Sequence, residues 1–319
     1  MDENLNIASP EDCPFGFLRA RFDTKYWSKH FDMDLFRYAG PTISHYTDLH
    51  GLYGIIESGG FWLSDHRFLN DSEEFENGRR LTIALLNGIS QKSRYKHFRS
   101  IVEGSLSFLE GYMEEPYYLC SFSRDYDSLD QWRSYAYDGQ GVSINFYNQQ
   151  NGLGHFFMAP ILSAKKVVYN DAEKTRVILR TLRKYSFEYF RDISCGFPIY
   201  DGTWSSEMAT WLAMEFITFK HPSYQSEQEV RLIAASSHLQ HFGGIRHRVG
   251  KQRIIPYIST KDLYNDHLRH LIGSSLPIKE IRVGPAANQA TTIRSIEEYL
   301  KNMGYTSVDV IKSTVPYRG

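Results

Sequence analysis

The chain has 319 residues, 42% of them hydrophobic and 23% charged, with a net charge of −1. That length allows one elaborated domain or two modest ones, and the composition argues against a disordered chain or one drawn to polyanions by its overall field. Three widely spaced cysteines, Cys13, Cys120 and Cys195, provide neither a disulfide framework nor zinc spacing.

The first ten residues are acidic and lack an apolar segment, and no apolar run approaches a bilayer's thickness, so a cytoplasmic protein is expected. Residues 1–40 read as an N-terminal arm followed by a helical segment. Within it, residues 14–38 interleave Phe and Trp with Arg19, Arg21, Lys25 and Lys29. Such a stretch either packs an aromatic stripe or stacks on nucleic acid.

Residues 41–47 predict a strand, and Asp48 caps a helix that Gly59-Gly60 ends. A short strand over 61–64, helices over 74–92 and 94–113, and a strand from Tyr117 to Ser123 follow. Ser128 to Tyr137 reads as a short helix and Gly141 to Phe146 as a strand. Next come a strand within 161–169, a long helix over 171–195 and a buried helix over 204–219. Strands over 226–234 and 253–258 lead to a tail of strand (278–283), helix (290–303) and strand (307–313), the pattern of a right-handed parallel unit.

Several segments carry candidate chemistry. Along the predicted strand Ser226 to Ala234, Glu227, Glu229 and Arg231 share one face, either a solvated surface or the wall of a polar site. Ser121 and Ser123 share a face of another strand, and His45-Tyr46-Thr47 ends the first. Asn70-Asp71-Ser72-Glu73-Glu74 reads as a helix cap with an acidic first turn, or as a metal-binding carboxylate set built on Asp71, Glu73 and Glu74. His238, His241 and His247 lack the companions of a zinc site, so no metal is expected.

The order His45, then Ser121-x-Ser123, then Glu227-x-Glu229 resembles the ADP-ribosyltransferase superfamily. A bacterial family of unknown function related to it is similar in more detail. That likeness rests on His45-Tyr46-Thr47, Asn70-Asp71-x-Glu73-Glu74, Cys120-Ser121-Phe122-Ser123, Trp132-x-x-Tyr135 with Gly141, Glu227-x-Glu229-x-Arg231, Val283-Gly284-Pro285 and Ser313 to Arg318. It spans most of residues 41–318.

The resemblance implies an α+β fold, an ADP-ribosyltransferase-like split β-sheet core with helical insertions over 41–319. It implies transfer of ADP-ribose from NAD, with NAD hydrolysis as a side activity. Glu229, Glu227 and His45 would be catalytic, and His45, Tyr46, Thr47, Ser121, Ser123, Trp132, Tyr135 and Arg231 would hold NAD. Tyr46, Trp132 and Tyr135 are the aromatic faces offered to nicotinamide. By analogy such an enzyme is a growth-arresting toxin or a phage-defence effector restrained by an antitoxin partner. Its acceptor would be RNA, DNA or protein, with the basic-aromatic stretch 14–38 favouring nucleic acid slightly. A non-catalytic nucleotide-sensing module and a metal-dependent nuclease are the rival readings.

Overall fold

The computed structural model describes residues 42–69, 72–91, 98–111, 116–147, 162–196, 200–236, 239, 243–250, 252–263 and 276–317. The stretch 1–40, with Arg19, Arg21, Lys25 and Lys29, lies outside the described residues, as do Asn70, Asp71, His238, His241 and Arg318. The described residues form a mixed α+β fold in two compact units.

One unit is helical. It holds most of α2 (Ser72–Ser90), α3 (Arg99–Gly111), and, after the sheet strands between, α5 (Asp171–Ser194) and α6 (Asp201–Phe216). Trp204 is buried against Tyr185 and Tyr189, and Phe75 meets Phe216 edge-on at 5.0 Å. Ser105 Oγ donates to the Ser205 carbonyl, so a small polar side chain joins two helices where they approach.

Among the described residues, the other unit is a ten-stranded sheet with three α-helices. β1 (Thr42–Thr47) leads to α1 (Leu49–Ser58), whose ends are those the sequence predicts. Asp48 accepts from Gly51 N at 2.8 Å, and Gly59 takes the left-handed conformation, φ 61°, that ends a helix cheaply. β2 (Trp62–Asp65), β3 (Tyr117–Ser123), α4 (Leu129–Tyr135), β4 (Val142–Tyr147) and β5 (Ser163–Lys166) follow. After α6 come β6 (Glu229–Ala235), β7 (Arg246–Val249), β8 (Ile254–Ser259), β9 (Ile278–Val283), α7 (Gln289–Asn302) and β10 (Asp309–Lys312). The last three elements form the expected parallel strand-helix-strand unit.

The strand order is β10-β9-β4-β1-β3-β2-β8-β7, with β6 on β3 and β5 on β6. β3 is the organising strand. All seven of its residues pair with β6. Its other edge is shared: β1 meets it only at Ser44–Ser123, and β2 only at Ser64–Leu119 and Asp65–Tyr118. The sheet therefore divides beside Cys120 to Phe122.

Three details depart from the sequence reading. The apolar helix ends at Phe216 rather than 219, and Thr218 to Lys220 run extended, with Val168 N donating to Thr218 O and Lys220 N to Val168 O. Glu227 belongs to a 3-10 turn, Pro222–Glu227, and not to the strand. β7, unforeseen, is an edge strand rich in exposed basic side chains.

Candidate functional site

Strand alternation gives β3 and β6 one apolar and one polar face. Phe122 pairs with Val230 and Cys120 with Leu232, and all four are buried. Ser123 pairs with Glu229 and Ser121 with Arg231, which places both hydroxyls, a carboxylate and a guanidinium on the other face. Glu229 and Arg231 are 6% and 3% exposed, so this face is no solvated surface.

Glu229 is held by charge on two sides. Arg231 Nε donates to Oε1 at 2.7 Å and its Nη2 to Oε2 at 3.2 Å. Lys220 Nζ donates to Oε2 at 3.2 Å, and the Ser121 hydroxyl adds a further bond. Burial alone would raise the carboxyl's pKa. The charges of Arg231 and Lys220 outweigh it and hold the group at about 2.

Glu227 lies beside this pair by an unusual route. Gln228 adopts φ 46°, a left-handed conformation costing a long side chain about 1–2 kcal/mol. The carboxylates thus leave period-two spacing, yet both reach one ammonium, with Lys220 Nζ 2.6 Å from Glu227 Oε2. Tyr135 OH donates to Oε1 at 3.0 Å. Burial raises the Glu227 pKa against the pull of Lys220, and the Glu229 charge raises it further. Two neighbouring carboxylates are therefore pushed in opposite directions.

Ser123 supports the turn from beneath, donating to the Glu227 carbonyl at 2.7 Å. Tyr169 OH accepts from Glu229 N at 2.9 Å, and burial pushes that phenol up to about 12.

The aromatic candidates divide. Tyr135 is 42% exposed and touches Glu227. Tyr46 and Trp132 are buried and packed edge-on at 4.9 Å. Tyr46 OH bridges the Asp125 carbonyl and Ser128 N, and Trp132 Nε1 donates to Asp127. With faces covered and polar atoms satisfied, neither offers nicotinamide a stacking surface.

His45 does not join the carboxylates. Ser44 pairs with Ser123, so His45 leaves β1 on the opposite face, against Phe61 and Phe122. Its Nδ1–H donates to the Ser121 carbonyl at 2.8 Å, in the stretch where β1 and β2 part. Burial lowers its pKa, and the Arg248 charge lowers it further. Cys120 Sγ lies 3.8 Å away as a thiol, its pKa pushed up to about 12. Ser121 thus contacts both groups, His45 through its carbonyl and Glu229 through its hydroxyl. Thr47 is half-buried at the end of β1.

Sequence reasoning missed Lys220, Tyr169 and Asp127. Lys220 had one weak signal, a lone lysine closing an apolar run before a proline. Asp127 accepts from Trp132 Nε1, Ser313 Oγ, Thr314 N and Oγ1, and Arg282 Nη1. Those partners are scattered along the chain, which no spacing could reveal. Glu73, a nuclease candidate, is exposed in the first turn of α2. Among the described residues, no group of three His, Cys, Asp or Glu is placed to hold a metal ion, and no helix is long and apolar enough to cross a membrane.

No curated protein and no solved structure matches the chain. Residues 131–232, which carry Trp132, Tyr135, Lys220, Glu227, Glu229 and Arg231, match the family described as "Protein of unknown function (DUF2971)".

Proposed function

We propose that this protein transfers ADP-ribose from NAD to a macromolecule, with NAD hydrolysis as the side reaction. The observation that carries the proposal is the split carboxylate pair. Glu229 is held ionised, while Glu227, sharing the ammonium of Lys220, is pushed up. Adjacent carboxylates driven apart in pKa are the arrangement that glycosidic-bond chemistry uses, one as fixed charge and the other as proton carrier.

In this reading the bond between C1′ of the ribose and nicotinamide breaks, and its electron pair leaves with neutral nicotinamide. Positive charge develops on the ribose, where the Glu229 carboxylate stabilises it more than it stabilises NAD. An acceptor oxygen or nitrogen bonds to C1′ and gives its proton to Glu227. Exposed Tyr135, fixed by its bond to Glu227, is the aromatic neighbour for nicotinamide. The divided edge of β3 and the order of the Ser-x-Ser and Glu-x-Glu segments support the same reading. The basic-aromatic stretch 14–38 favours RNA or DNA as acceptor, and a toxin or phage-defence role with an inhibitory partner is proposed by analogy alone.

One observation favours a second reading, a nucleotide-sensing module without catalysis. Glu229 is already engaged by two cations, which offset its field, and His45 lies on the other face of the sheet. Incubation with NAD labelled in its adenosine half and with cell lysate separates the two. Nicotinamide release with label in protein, RNA or DNA supports transfer. Binding of NAD without nicotinamide release overturns transfer in favour of sensing.

A further inference from the structure

Both carboxylates are buried within reach of one cation, yet their pKa values are pushed in opposite directions, and a second cation beside Glu229 explains the difference. Lys220 arrives on the short extended segment anchored to Val168, with its carbon stem buried and Nζ above the Tyr224 ring at 4.7 Å. Nζ sits 2.6 Å from Glu227 Oε2 and 3.2 Å from Glu229 Oε2. Glu229 has a second cation in Arg231, whereas Glu227 meets the Tyr135 hydroxyl. The surroundings also present Tyr169 from the segment after β5, and Lys165, which pairs with Arg231 across β5 and β6.

We infer that Lys220 is a positioning residue for the proposed reaction: its ammonium binds both carboxylates together and holds Glu227 beside Glu229. The inference rests on the proposed transfer for its meaning, but the arrangement is testable without turnover. An ammonium has three donors, and here two are spent on carboxylates that would otherwise repel each other. Remove the charge and Glu229 keeps only Arg231 as a cation partner, while Glu227 keeps none. Both carboxyls should then protonate more readily.

The experiment is a pH titration of the folded protein labelled with ¹³C at glutamate carboxyls, assigned by substitution. In the wild type, Glu229 should stay ionised at pH 4 while Glu227 titrates above it. Lys220→Met should move both titrations upward by about one pH unit or more, and Lys220→Arg, which keeps the charge, should move them far less. In nicotinamide release, the acid limb of the pH profile should move upward in Lys220→Met in parallel. Unchanged titrations in folded Lys220→Met overturn the inference. If Lys220→Met does not fold, the wild type still decides, because Glu227 and Glu229 titrating together would overturn it. Titrations that are split in the wild type and both move upward in Lys220→Met, in a protein that releases no nicotinamide, support the role of Lys220 and overturn only the transfer reading.

Discussion

The two faces of the sheet around β3 are buried to similar depth by opposite means. On one face Phe61, Phe122 and Phe146 meet edge-on, Phe61 lying 5.1 and 5.2 Å from the other two, and Val230 and Leu232 complete the packing. On the other face Ser44 Oγ donates to Asn145 Oδ1 at 2.5 Å, Asn145 Nδ2 to Glu280 at 2.8 Å, and Arg231 and Lys220 clamp Glu229. Apolar contacts carry no direction, so the first face can relax around a lost atom. Hydrogen-bonded charges must be matched, so the second fails when any one partner is removed.

Paired substitutions test this contrast. Glu229→Gln removes the carboxylate that Arg231 and Lys220 both engage, and should cost about 3–5 kcal/mol by denaturant midpoint. In protein that remains folded, nicotinamide release should fall a hundredfold or more. Release near the wild-type rate would remove Glu229 from the chemistry. Adding Arg231→Met to Glu229→Gln should recover part of the stability, because the unmatched charge goes too. Phe122→Ala, on the apolar face, should cost about 3–5 kcal/mol. No second substitution of a neighbour should recover it, and recovery would erase the distinction between the faces.

Asp127→Ala tests the polar side farther from the carboxylates. It strips Trp132, Ser313, Thr314 and Arg282 of a shared acceptor, and a loss of about 1.5–3 kcal/mol is expected in thermal unfolding. Its pKa is lowered even though burial works the other way, chiefly through the bonds from Ser313 and Thr314.

Acid should act through the polar face first. Glu229 has its folded pKa depressed from 4.5 to about 2. Its stabilisation is therefore complete above about 4.5 and is lost as pH falls toward 2. Glu227 is shifted upward, so its contribution has the opposite sign and is gained above about 4.5, before the Glu229 loss begins. In Glu229→Gln the unfolding midpoint should depend less on pH across that window. An unchanged slope would show that Glu229 is not the group responsible.

The smallest effect expected is that of Tyr135→Phe. It deletes one bond to Glu227 at a half-exposed position, worth about 0.5–1.5 kcal/mol. Because that bond lowers the Glu227 pKa, its loss should move the Glu227 titration upward. A downward shift would mean that the phenol accepts rather than donates.

Local patterns in the chain determined much of this protein. The α+β class, the Asp48 cap, the Gly59 stop, the Tyr117–Ser123 strand and the closing parallel unit were legible because capping and periodicity act over a few residues. So was the shared face of Ser121 and Ser123. Tertiary structure decided the rest. It assigned His45 to the apolar face through the single pairing of Ser44 with Ser123, an alignment that no alternation within one strand specifies. It buried Tyr46 and Trp132 in each other's company, turned Glu227 out of the strand at Gln228, and delivered Lys220 to both carboxylates. Such contacts depend on register and on three-dimensional neighbours, whose sequence separation carries no period to read.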